Sequence, residues 1–152
     1  MKEKFMKEAL KEAQKAYKKD EVPVGAIIVL NNKIIARAYN TREKSNDATN
    51  HAEIIAIKKA CKKVKDFRLI NAELYVTLEP CLMCLGAILN ARIKKVYFGA
   101  SIDKENALTT KEIIDRAELN HRTEIEGGIL KEDCSVLVSS YFREKRNHKK
   151  QV

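Results

Sequence analysis

No apolar run in this chain of 152 residues approaches the ~20 residues that cross a bilayer. A membrane span is therefore not expected. No unbroken apolar stretch opens the chain either. It begins MKEKFMKEALKEAQ, which alternates charge with apolar side chains, so no secretory signal is read there and a cytoplasmic location is expected. Cysteine is scarce, four in all, and without an export signal two disulfides are not expected. There is no linker, no internal repeat and no low-complexity block apart from a basic end at about 143–152. One domain over residues 1–152 is the expectation.

Acid is short as well. The formal net charge is +9 and the pI about 9.4. Residues 2–19 carry seven Lys against three Glu. Lys58, Lys59, Lys62, Lys63, Lys65 and Arg68 face only Asp66 in their stretch. Arg143, Lys145, Arg146, Lys149 and Lys150 face Glu144. Such a surface suits a polyanion, most simply nucleic acid; solvated helix faces are the plainer reading.

What is present reads as alternating helix and strand. Residues 2–18 place Phe5, Ala9, Ala13, Ala16 and Tyr17 on one helical stripe. Residues 24–30 form an apolar β-branched run, Asn31-Asn32 a tight turn, and 33–39 a returning strand, which together make an antiparallel hairpin. Polar loop follows over 41–49. The spacing predicts helices over 51–64 and 81–90, strands over 73–78 and 95–99, and a short helix near 111–117. A last strand is expected over 123–125, ended by Gly127-Gly128, and a final amphipathic helix over 129–145. The fold class is α/β: a three-layer α/β/α sandwich around a five-stranded mixed sheet, parallel where helices connect the strands. Cys61 and Cys134 each fall on a predicted apolar helix face and read as buried small hydrophobes.

Two short motifs carry the chemistry. His51-Ala52-Glu53 is followed, after 26 residues, by Pro80-Cys81-Leu82-Met83-Cys84. One imidazole and two thiolates form a nitrogen and sulfur set that suits tetrahedral zinc. Three protein ligands leave a fourth position open, which marks a catalytic site. Cys81 and Cys84, at i and i+3, share one side of a helix's first turn, where free N–H groups and the dipole favour thiolate. His51 also begins a predicted helix. Zinc there would lower the pKa of a coordinated water to about 7. Glu53, beside it, suits a proton shuttle and not a fourth ligand. Two plainer readings exist. Asn50 through Glu53 fits a helix capping box, and a lone C-x-x-C fits a dithiol redox pair. Together, in this order, H-x-E and P-C-x-x-C form a signature of zinc-dependent nucleobase deaminases.

The chain resembles, nearly end to end, the bacterial tRNA adenosine deaminases of the TadA type. The matching segments include Glu21-Val22-Pro23-Val24-Gly25-Ala26, Tyr39-Asn40, His51-Ala52-Glu53-Ile54, Arg68-Leu69-Ile70 and the stretch from Leu74 to Cys84. Gly86-Ala87-Ile88, Phe98-Gly99-Ala100, Leu119-Asn120-His121-Arg122 and Tyr141-Phe142-Arg143 continue the match. The resemblance implies a cytidine deaminase-like fold, a homodimer, one Zn2+ per subunit, and conversion of adenosine to inosine at the wobble position of a tRNA anticodon stem-loop. It implies that Asn40 hydrogen-bonds the flipped-out nucleotide, that Val24 lines the base pocket, and that the backbone around Ala52 and Pro80 helps hold the base. It also implies that Phe142 and the basic residues after it meet the anticodon loop. The chain departs from the family over residues 101–110: Ile102 stands where an acidic residue is usual, with Asp103 one position on, and the glycines are missing. A deaminase of a free base or nucleoside, such as guanine or cytosine, is the enzyme alternative. A zinc-stabilised RNA-binding module is the other.

Overall fold

The structure is a computed structural model that describes residues 1–101, 109–117 and 120–151. The altered stretch at 102–108, with Ile102 and Asp103, lies outside the described residues, as does Leu119.

In chain order the elements are α1 (Lys2–Lys18), β1 (Gly25–Leu30), β2 (Lys33–Tyr39), α2 (Arg42–Ser45), α3 (Ala52–Val64), β3 (Glu73–Leu78) and α4 (Leu82–Asn90). β4 (Lys95–Ala100), α5 (Thr110–Arg116), β5 (Glu124–Glu126) and α6 (Lys131–Gln151) complete them. The five strands form one sheet in the order β2-β1-β3-β4-β5. β1 runs antiparallel to both β2 and β3, while β3, β4 and β5 are parallel. The expected mixed sheet is therefore present.

β1 is apolar along its whole length because both of its faces are covered. Ala26 and Ile28 join Ala52, Ala56, Ala60 and Ile88 in the core under α3 and α4. Ile27 and Val29 point the other way, into a second core with Phe5, Met6, Ala9 and Cys134 under α1 and α6. These two cores make the three layers. The β1–β2 turn has positive φ at both Asn31 and Asn32, which matches the twist a two-residue hairpin requires. Gly25 is required where α1 crosses: a Cβ there would collide with the backbone of Ala9 and Ala13.

Three expectations change. Residues 41–49 are not all loop, because Arg42–Ser45 make one helical turn. Its cap comes from a distance: the buried Glu21 carboxylate accepts the N–H of Glu43 at 3.1 Å and of Lys44 at 2.9 Å. Cys61 is half-buried, not buried, since the inward stripe of α3 is Ala52, Glu53, Ala56, Ile57 and Ala60. The final helix, expected over 129–145, runs further: α6 continues through the basic end to Gln151. Cations in the last turns and Glu132 and Asp133 in the first both suit the helix dipole. Cys134 is buried as expected.

Candidate metal centre and active site

α3 and α4 pack side by side on one face of the sheet and start at the same end. Their N-cap residues are His51 and Cys81, both in extended backbone conformation, and neither side chain caps its own helix. The two N-cap side chains are thus free to act elsewhere, and they meet. His51 Nδ1 lies 3.6 Å from Cys81 Sγ and 3.5 Å from Cys84 Sγ. All three atoms lie within 4.8 Å of one another. Ligands placed 2.0–2.3 Å from one tetrahedral centre sit roughly 3.5 Å apart, so the triplet fits zinc.

The electrostatics point the same way. The hydrogen bond from Cys84 and the backbone N–H groups of Cys84 and Met83 pull the Cys81 thiol down to about 5, against its burial. The same sulfur contact, then burial and the Glu53 carboxylate, push Cys84 up. Two sulfurs and a carboxylate this close disfavour one another's anions. A divalent cation between the sulfurs removes that conflict.

Glu53 is 3% exposed. Burial pushes its carboxyl up to about 7, the nearby Cys81 adds to the rise, and hydrogen bonds from its own N–H and from Cys84 oppose it. A carboxyl poised near neutrality suits proton transfer in both directions. The capping-box reading does not hold, since the N-cap of α3 is His51 and the Asn50 amide donates to Ser45 at 2.8 Å.

The N-terminus of α3 is instead capped by the residue that follows β2. Asn40 Oδ1 accepts the Ala52 N–H at 2.7 Å, buried. Nδ2 makes no hydrogen bond among the described residues and is a donor Asn40 can offer a ligand, while the Oδ1 contact engages the one backbone donor that Ala52 could have given a base. Asn40 also lines a cleft of about 310 Å3 with Val22, Arg42 and Asp47. Its own N–H donates to the carbonyl of Val24 at 3.1 Å, so Val24, 5% exposed, is fixed beside it. Pro80 is buried directly before Cys81. Phe142 is not gathered with these residues. It stands 43% exposed on α6, edge-on to Tyr141, whose hydroxyl donates to the Asp20 carbonyl. The larger concavity between α1 and α6, lined by Leu10, Tyr17, Val136 and Leu137, belongs to the opposite face of the sheet and holds none of the ligand set.

Two carboxylates that position the site were missed. Glu21 holds α2, as described. Glu79, one residue before Pro80, accepts the N–H of Thr110 at 3.1 Å and also its hydroxyl. It ties the start of α5 to the turn that presents Cys81. The available signal was an acid set beside Val22 and Pro23 in one case and beside Leu78 and Pro80 in the other.

Residues 1–100 match the family described as cytidine and deoxycytidylate deaminase zinc-binding region. The tRNA-specific adenosine deaminase of Bacillus subtilis (strain 168) is 47% identical over 147 residues, 96% of this chain and 91% of that protein. The enzyme of the same name from Haemophilus influenzae is 44% identical over 150 residues, covering 97% and 87%. A solved structure from biochemical and structural studies of A-to-I editing by tRNA:A34 deaminases at the wobble position of transfer RNA superposes with a TM-score of 0.82. It has 40% identity and covers 88% of this chain and 98% of that one.

Proposed function

Since this chain belongs to the zinc-binding cytidine and deoxycytidylate deaminase family, we propose that it hydrolyses adenosine to inosine at the wobble position of a tRNA anticodon. One observation carries the reading: near-full-length likeness to tRNA-specific adenosine deaminases in a chain that gathers His51, Cys81 and Cys84 around one point.

Zinc held by those three side chains would lower the pKa of water to about 7 and so supply a nucleophile at neutral pH. The chain's own residues do the rest. Val24, buried beside Asn40, forms a wall of the base pocket, and the turn at Pro80 closes it. Asn40 holds the nucleotide through Nδ2 while its Oδ1 caps Ala52. Glu53 takes a proton from the attacking water and delivers it to N1 of the ring as C6 gains oxygen. It then carries the remaining proton of the oxygen now on C6 to the exocyclic nitrogen, which leaves as ammonia as the C6 carbonyl forms. Burial of Glu53 keeps bulk water from competing for that proton. Phe142, with Arg143 and Arg146 on the same helix, meets the anticodon loop: the cations bind phosphate and position the strand, while the pocket reads one splayed base.

The working unit is a homodimer of single-domain subunits. Its support is α4, which has no charged residue and leaves Leu82 70% and Met83 38% exposed. A second copy is the simplest cover for that face. No helix among the described residues is long and apolar enough to cross a membrane. A tRNA substrate supports a cytoplasmic location for the enzyme.

Ammonia release tests the reading. Zinc-loaded protein is given tRNA with adenosine at the wobble position and, separately, free adenosine, guanine and cytosine. Release from the RNA alone is expected. Release from a free base with none from the RNA overturns it.

A further inference from the structure

The lysines of this chain are not alike. Several of those in α1 and α6 have acidic partners: Lys11 with Glu8 at 2.9 Å, Lys15 with Glu12 at 2.8 Å, Lys2 with Glu126 at 2.9 Å, Lys145 with Asp20 at 2.7 Å. α3 differs. It exposes Lys58, Lys59, Lys62 and Lys63, and among the described residues none of them has an ion pair within 4.0 Å. The only acid in α3 is the buried Glu53. Asp47 feels Lys58 at longer range but is bonded to Thr49, and Asp66 is bonded to Arg68. Lys59 Nζ donates to the Arg37 carbonyl at 2.8 Å, an uncharged partner.

Lys58 and Lys62, and Lys59 and Lys63, stand at i and i+4. Like charges at that spacing destabilise a helix by a few tenths of a kcal/mol per pair. The helix dipole accounts for Lys62 and Lys63, which lie in the last turn, but not for Lys58 and Lys59. The row also has a direction. α3 starts at the imidazole ligand and is about 18 Å long at 1.5 Å per residue, so the lysines form a track leading away from the metal centre.

We propose that the solvent face of α3 is a second RNA contact, where these lysines bind backbone phosphates of the tRNA beyond the anticodon loop. The partner is a polyanion read by charge and not by sequence. The proposal rests on tRNA being the substrate, and its test is separable from that reading because it measures binding and not turnover.

Equilibrium binding of fluorescent full-length tRNA is followed by anisotropy between about 50 and 200 mM KCl. Zinc-loaded wild type is compared with Lys58→Gln/Lys62→Gln/Lys63→Gln. A control of equal charge, Lys7→Gln/Lys11→Gln/Lys15→Gln, changes α1 instead. Each lost phosphate contact flattens the plot of log affinity against log salt by about 0.9. The α3 variant is expected to flatten by about 2–3 and to bind on the order of tenfold more weakly, while the α1 control keeps the wild-type slope. An unchanged slope in the α3 variant overturns the proposal. So does equal flattening in both variants, which assigns the effect to net charge. Wild type that binds tRNA with the expected slopes but forms no inosine leaves this surface standing and removes the activity.

Discussion

The side-chain oxygen of Asn40 accepts the N–H of Ala52 at 2.7 Å, so the residue after β2 caps the helix that begins at His51, the imidazole of the proposed metal site. A helix start whose N-cap side chain points elsewhere must be capped by something else, and here Asn40, just past β2, supplies it.

That contact separates two roles of one residue. Asn40→Ala strands a buried donor, so the fold should lose about 1–3 kcal/mol and zinc should bind more weakly. Asn40→Asp keeps an acceptor for Ala52 and loses the Nδ2 donor. It should unfold in denaturant near the wild-type midpoint yet show a raised KM for RNA. Equal loss of stability in both variants would remove the division of labour.

Glu53→Gln should lower kcat by about 10²–10⁴ while metal analysis still finds one zinc. The same change bears on stability. Burial raises the Glu53 carboxyl from 4.5 to about 7. In metal-free protein its contribution is therefore fully present below pH 4.5 and lost as pH rises through 7. Glu53→Gln, which cannot ionise, should outlast wild type above pH 7, by at most roughly 3 kcal/mol. Denaturant melts of metal-free protein at pH 5 and pH 8 check the sign, with the gap between the two proteins much wider at the higher pH.

Thiol labelling reports on metal occupancy. Burial pushes Cys134 up to about 12, so alkylating agents at pH 8 should leave it unmodified in the native fold. Cys81, held down to about 5 by Cys84 and the helix N–H groups, should be the fast thiol at pH 7 once zinc is chelated and should be protected when zinc is restored. Peptide mapping distinguishes this from unfolding, in which Cys134 reacts too.

The dimer is testable on α4. Sedimentation should show two copies for wild type. Leu82→Asp/Met83→Asp places charge on the exposed apolar face and should shift the protein to a monomer at the same concentration. A dimer that survives this change sits on another surface.

Much of this was legible locally. The candidate ligand set sits in two short motifs of three and five residues, and the second is read directly because a helix N-cap and its first turn put Cys81 and Cys84, at i and i+3, together without tertiary help. The hairpin follows from Asn31-Asn32, which tolerate positive φ. The α2 turn was not legible, because the carboxylate that caps it belongs to Glu21, across a strand pair. Nor was the committed Ala52 N–H, which depends on how β2 docks against α3. Cys61 was misplaced by one position around the helix: the stripe through Ile54, Ile57, Cys61 and Val64 is apolar, but the face that packs is the alanine-rich one beside it, since alanines let α3 approach the sheet. α6 extends past Lys145 because its cations suit the helix's end, whereas a charge run by itself gives no helical period.

The most direct test is nuclease digestion and mass spectrometry of tRNA bearing adenosine at the wobble position, after incubation with protein shown to carry one zinc per chain. Inosine at that nucleotide with wild type, and almost none with Glu53→Gln, is the predicted result. Wild type that holds its zinc yet leaves the adenosine intact, or Glu53→Gln that edits as fast as wild type, would contradict the account.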